Sequence, residues 1–139
     1  MRRILLAEDN PADVYLIREA LREHGVDCPV RVESNGKQVL DLLANAGSVE
    51  TTDLALIILD LNLPLHDGIE ILQHLQGTGL RVPVVVLTSS DSPRDRIVAS
   101  ELGAACYLRK PSSLEQFLSL GAVFRDLLAS STPPTGQTN

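Results

Sequence analysis

The chain has 139 residues, 44% of them hydrophobic, enough for one compact domain with an aliphatic core. Aromatic residues make up 3% and Trp is absent, so a base-stacking surface is not expected. The formal net charge of -6 opposes attraction to phosphate backbones, which excludes nucleic acid as the leading partner.

The first apolar run, residues 4–7, reads as a buried strand and ends in Glu8 and Asp9. Asn10 then caps a helix with Pro11 at its first position, Val14, Ile17 and Leu21 on one face, and Gly25 as its stop. Residues 30–33 alternate apolar with charged side chains, as an edge strand does. A helix is expected over 35–46, with Val39, Leu42 and Leu43 inward, and a polar connection over 47–53. The unbroken run 54–59 suits a strand buried on both faces. It meets Asp60, and Asn62, Pro64 and Asp67-Gly68 follow as turn residues.

Residues 68–76 carry Ile71, Leu72 and Leu75 at helical spacing, and the strand over 82–87 runs into Thr88, Ser89 and Ser90. Ser92, Pro93 and Asp95 start a helix that turns Ile97, Val98 and Leu102 inward until Gly103. The strand over 104–108 ends in Arg109, Lys110 and Pro111. A last helix is expected over 113–129, with Leu114, Phe117, Leu118, Gly121, Phe124 and Leu128 as its core face. Leu120, Val123 and Leu127 form a second stripe nearly opposite, expected to serve a homodimer or kinase-docking contact. Residues 130–139, rich in Ser, Thr, Pro and Gly, read as a disordered tail after a domain spanning 1–129.

Cys28 and Cys106 have no ligand spacing, and His24, His66 and His74 form no metal motif, so reduced structural thiols are expected. No apolar run reaches membrane-spanning length and the strand pattern begins within a few residues of Met1, so a cytoplasmic protein without a membrane partner is expected.

Strands alternating with helices imply an α/β fold, a parallel sheet covered on both faces, whose ligands collect outside the carboxyl ends of the strands. Glu8, Asp9, Asp60, Thr88 and Lys110 all fall at such ends. Three carboxylates brought together repel unless a cation neutralises them. Mg²⁺ suits them, because it takes oxygen ligands and commonly combines one or two carboxylates with phosphate oxygens; Mn²⁺ is the alternative ion. Lys110 could hold a phosphate oxygen as a compact charge, and the Thr88 hydroxyl could donate to an oxyanion. These are the parts needed to accept a phosphoryl group on Asp60.

The ordered set resembles the receiver domain of two-component response regulators. It comprises Glu8-Asp9, Asp60 with Pro64 and Asp67-Gly68, Thr88, and Tyr107 followed by Lys110-Pro111. The resemblance implies a doubly wound, flavodoxin-like sheet of five parallel strands in the order 2-1-3-4-5. It implies that Asp60 takes a phosphoryl group from a sensor histidine kinase and that Asp9, Asp60 and the backbone carbonyl of Asn62 bind Mg²⁺, with Glu8 acting through a water on the metal. Lys110 and Thr88 would contact the phosphoryl oxygens, Tyr107 would change rotamer as Thr88 is drawn inward, and Pro111 would follow a cis peptide bond. Asn10-Pro11-Ala12-Asp13 and the stretch from Asp60 to Pro64 look most like the single-domain regulators partnered with bacteriophytochrome-like kinases. A stand-alone switch is therefore expected, acting on a downstream protein and promoting no reaction beyond its own phosphorylation and dephosphorylation.

Taken singly, each residue has a plainer reading: Asp60 as a turn-starting aspartate, Glu8 and Asp9 as acids at a helix amino terminus, and Tyr107 as packing. His66 reads as a solvent-exposed loop residue, and Ser89, Ser90 and Asp91 stand outside the expected core site. An aspartyl-phosphate hydrolase is the alternative enzyme, but such hydrolases resemble a pattern with a second Asp two residues on, where this chain has Asn62. An interaction module that is never phosphorylated is the third reading, and it leaves the whole constellation unexplained.

Overall fold

In the computed structural model, which describes residues 2–44, 51 and 53–130, the strands β1 (Arg3–Ala7), β2 (Val30–Glu33), β3 (Leu54–Leu59), β4 (Val84–Thr88) and β5 (Cys106–Arg109) form one parallel sheet. Their order is β2-β1-β3-β4-β5, the flavodoxin-like arrangement that the resemblance implied. The helices are α1 (Pro11–Glu23), α2 (Gly36–Leu43), α3 (Gly68–Thr78), α4 (Pro93–Glu101), α5 (Leu114–Ser119) and α6 (Gly121–Ser130). Most of the expected connection over 47–53 and all but Ser130 of the expected tail lie outside the described residues.

The strand alternation sorts the core into two layers. Leu5, Ala7, Ile57, Leu59, Val84 and Val86 meet Val39, Leu43, Ile71, Leu72 and Ala99 on one face of the sheet. Ile4, Leu6, Leu56, Ile58, Val85 and Leu87 meet Ile17, Leu21, Phe117, Phe124 and Leu128 on the other. Local chemistry sets the helix starts. The Asn10 side chain accepts from the Ala12 and Asp13 amides, the Asn35 side chain from Gln38, the Ser92 side chain from Asp95 and the Ser113 side chain from Gln116. Asp67 and Glu70 form a reciprocal capping box at α3.

Four expectations are corrected. The last helix is interrupted, because α5 stops at a tight turn on Leu120 and α6 restarts at Gly121. Gly121 lies so close to the Ala20 carbonyl and the His24 ring of α1 that a Cβ has no room there. Leu114, the first residue of α5, is exposed at 61% instead of in the core, and Ile97 on α4 is also exposed, at 58%, because α4 buries Ala99 in its place. The Leu120, Val123 and Leu127 stripe is half-buried, with Leu120 and Leu127 packed against the core, so it is not the free surface expected opposite that core. Finally, no described peptide bond is cis, so the bond before Pro111 is trans. The trans form is favoured by about 0.5–1 kcal/mol before proline.

Candidate functional site

Sheet register brings the charged strand ends together. Ala7 pairs with Leu59, and the Asp60 amide donates to the Ala7 carbonyl at 3.0 Å, so Glu8 and Asp60 leave the sheet side by side. Thr88 pairs with Arg109, and the Lys110 amide donates to the Thr88 carbonyl at 2.8 Å, which aims the Lys110 stem back over the same sheet edge. Gly68 closes the loop after Asp60: its amide donates to the Leu61 carbonyl at 2.9 Å. A Cβ there would stand 2.7 Å from the Leu61 Cα and 2.8 Å from the Asp60 carbonyl, so Asp67-Gly68 is a packing requirement as well as a turn.

Lys110 Nζ donates to Asp13 Oδ2 at 2.7 Å and to Asp60 Oδ2 at 2.9 Å, and it lies 2.8 Å from Glu8 Oε1. Glu8 and Asp60 are buried and Asp9 is exposed. Glu8 Oε2 accepts the Asn10 amide at 3.1 Å, and Asp60 Oδ1 accepts the Asn62 amide at 3.0 Å. Burial pushes the Glu8 carboxyl from 4.5 up to about 7; the neighbouring Asp60 charge adds to this, while hydrogen bonding to Lys110 works against it. Burial alone lowers the affinity of Lys110 for its proton, but the bonds to Asp13, Glu8 and Asp60 outweigh that and hold it firmly protonated.

These directions make a pH prediction. With its folded value raised, Glu8 contributes stability that is fully present below 4.5 and lost as pH rises through about 7. The difference corresponds to about 3 kcal/mol in the metal-free protein. Lys110 stays charged throughout this window and adds no slope of its own. Urea midpoints of wild type minus those of Glu8→Gln are therefore expected to fall between about pH 5 and about pH 8; parallel profiles would show that Glu8 titrates as an ordinary carboxylate.

Glu8, Asp9 and Asp60 each offer an oxygen within 4.8 Å of the others. Their all-oxygen chemistry fits a hard divalent cation, since each carboxylate oxygen already taken by a hydrogen bond keeps a second lone pair and Asp9 faces solvent. Beside the cluster opens a cleft of about 570 Å³ lined by residues that include Asp9, Asn62, Pro64 and Asp95.

From Asp60 a chain of hydrogen bonds leads toward Tyr107. Asn62 Nδ2 donates to the Thr88 hydroxyl at 3.3 Å, and the Ser90 amide donates to the same hydroxyl at 3.4 Å. The Tyr107 hydroxyl donates to the Ser90 carbonyl at 3.2 Å. Tyr107 is half-buried, and the Arg96 guanidinium lies over its ring, 4.5 Å from the centroid. Thr88 is completely buried.

The structure thus brings Glu8, Asp9, Asp60, Thr88 and Lys110 to one sheet edge, with Asn62 linked to both Asp60 and Thr88. His66 stays apart, paired with Glu70 at 3.2 Å near the start of α3. Sequence reasoning missed Asp13, Arg96 and the part played by Ser90. Asp13 had a readable signal: it is the third helical residue after the Asn10 cap, a position that faces back toward the strand end. Arg96 and Ser90 gave none, because their roles depend on where β5 lies beside β4.

A family model described as the response regulator receiver domain matches residues 4–120. Rcp1 from Synechocystis sp. is 38% identical over 120 residues, covering 84% of this chain and 82% of that protein. The Mn²⁺-bound structure of Rcp1 superposes with a TM-score of 0.77 at 35% identity, over 91% of this chain and 93% of the other. MprA from Mycolicibacterium vanbaalenii is 35% identical over 134 residues, which is 96% of this chain; the chain spans about half, 53%, of that relative's length. The phosphorylated cyanobacterial phytochrome response regulator RcpA superposes with a TM-score of 0.82 at 33% identity, covering 95% of this chain and 96% of the other.

Proposed function

We propose that this chain, which belongs to the response regulator receiver domain family, is a cytoplasmic phosphorylation switch whose Asp60 accepts a phosphoryl group from the phosphohistidine of a sensor kinase. The observation that carries this reading is the buried Asp60 carboxylate, held by Lys110 at 2.9 Å and by the Asn62 amide at 3.0 Å beside Glu8 and Asp9. Similarity to Rcp1 and to the phytochrome regulator RcpA supports a phytochrome-type kinase as donor and a stand-alone regulator as the setting.

Asp9, Asp60 and the Asn62 carbonyl would hold Mg²⁺, with Glu8 acting less directly. The manganese in the Rcp1 structure supports a divalent ion in this role. Such an ion, when bound, neutralises charge on the transferring phosphoryl group. The chain's own residues do the rest. Asp60 supplies the attacking oxygen, the bond from phosphorus to the donor imidazole breaks, and the imidazole keeps its electron pair. Lys110 takes charge that moves from Asp60 onto the phosphoryl oxygens. Thr88, once its hydroxyl turns toward those oxygens, lets go of the Asn62 amide or the Ser90 amide. That change travels through Ser90 to Tyr107 and alters the surface built by α4, β5 and α5, which is where a downstream protein reads the signal.

Wild-type protein incubated with phosphoramidate and Mg²⁺ is expected to gain the mass of one phosphoryl group on the peptide that contains Asp60, and to keep it. Multiple-turnover phosphate release would favour the hydrolase instead, and absence of labelling would leave an interaction module.

A further inference from the structure

Asp13 is the carboxylate nearest to the Lys110 ammonium, at 2.7 Å against 2.8 Å for Glu8 and 2.9 Å for Asp60. An ammonium has three N–H donors, and these three carboxylates account for all of them. Neither partner is a loose surface charge: the Lys110 side chain is 10% exposed and that of Asp13 is 19% exposed. Asp13 is also firmly mounted, because it lies in the first turn of α1 and its amide donates to the Asn10 cap at 3.4 Å.

The three carboxylates differ in what phosphorylation does to them. Asp60 loses its charge when one of its oxygens becomes bonded to phosphorus. Glu8 belongs, with Asp9 and Asp60, to the oxygen cluster suited to a cation. Asp13 is outside that cluster, so its negative charge remains available to Lys110 throughout. A lysine stem is flexible, and its ammonium can swing away from a site once its partners are taken up elsewhere. We propose that Asp13 is a positioning residue for phosphoryl transfer: it anchors the Lys110 ammonium above Asp60, so that the N–H leaving the Asp60 carboxylate passes to a phosphoryl oxygen while another stays fixed on α1. This inference rests on the phosphorylation reading and adds to it a residue and a role.

The test compares wild type, Asp13→Asn, Lys110→Ala and the double variant as full chains with phosphoramidate and Mg²⁺, following intact mass against time. Asp13→Asn is expected to lower the maximal labelling rate about tenfold, the fall that accompanies loss of one charge-assisted hydrogen bond. The Mg²⁺ concentration for half-maximal rate should not move, and the double variant should be no slower than Lys110→Ala, because Asp13 acts only through Lys110. Asp13→Glu, which keeps a carboxylate on the same turn, should recover most of the rate, and it stands in if Asp13→Asn fails to fold. A rate for Asp13→Asn equal to or above that of wild type, a shifted Mg²⁺ requirement, or losses that add in the double variant would each overturn the inference while leaving the phosphorylation reading intact. A wild type that takes no label overturns both.

Discussion

Asp60→Asn is expected to reduce phosphoryl uptake from phosphoramidate below detection while leaving a folded protein. An amide oxygen is a poor nucleophile, and Asp60 is the carboxylate that Lys110 and the Asn62 amide hold beside Glu8 and Asp9. The same substitution should act on Glu8. The Asp60 charge is one of the causes that raise the Glu8 carboxyl, so its removal lowers that value toward the ordinary range and flattens the pH dependence described above. Lys110 keeps Glu8 and Asp13 as partners, and one source of like-charge repulsion is gone. Metal-free Asp60→Asn should therefore be at least as stable as wild type at about pH 8. Intact mass and urea midpoints measure both effects. A label that persists on the variant would place the acceptor elsewhere.

Lys110→Met is expected to destabilise the metal-free protein by about 3 kcal/mol at neutral to alkaline pH, the size seen when one partner of a buried ion pair is removed. Methionine keeps the apolar stem and loses the ammonium, so Glu8, Asp13 and Asp60 face one another without compensation. The sign of the pH dependence follows. Lys110 is one of the causes that lower the Glu8 carboxyl, so loss of the cation raises its folded-state value further; the penalty is present when Glu8 is ionised and shrinks as pH falls and Glu8 takes up a proton. Mg²⁺ should restore part of the stability, because it binds the clustered oxygens of the folded chain in preference to the unfolded one. Urea unfolding at about pH 5 and about pH 8, with and without Mg²⁺, reads all of this. A penalty unaffected by both pH and Mg²⁺ would mean that Lys110 matters for packing and not for charge.

Much of the site was legible because its residues sit at boundaries with local signals. Each of Glu8, Asp60, Thr88 and Lys110 ends or follows an apolar run, and in a parallel sheet the carboxyl ends of adjacent strands lie together. Caps at Asn10, Asp67 and Ser92 were equally readable, since a cap is a contact between residues two or three apart. The errors came where a local pattern had to predict a distant surface. Ile97 and Leu114 have the spacing of inward residues, yet α4 turns Ala99 to the sheet and Leu114 stands at the exposed start of α5, while Phe117, Phe124 and Leu128 keep the expected core face. Leu120 and Leu127 looked unpartnered on an ideal helix, but Leu120 at the turn and Leu127 on α6 both pack partly against the core.

By itself, then, the amino-acid order determined the alternation of buried strands and capped helices, the α/β class and the chemistry available at each strand end, because these follow from side-chain periodicity and contacts within one turn. The strand order was accessible only through family resemblance. Tertiary structure alone decided that Asp13 meets Lys110 across 97 positions, that Asn62, Thr88, Ser90 and Tyr107 form one hydrogen-bonded chain, and that Arg96 covers the Tyr107 ring. Those contacts depend on the register of β1 with β3 and of β4 with β5 and on the seating of α1 and α4 at the sheet edge. No period in the chain encodes them, since they join side chains whose neighbours are chosen by packing.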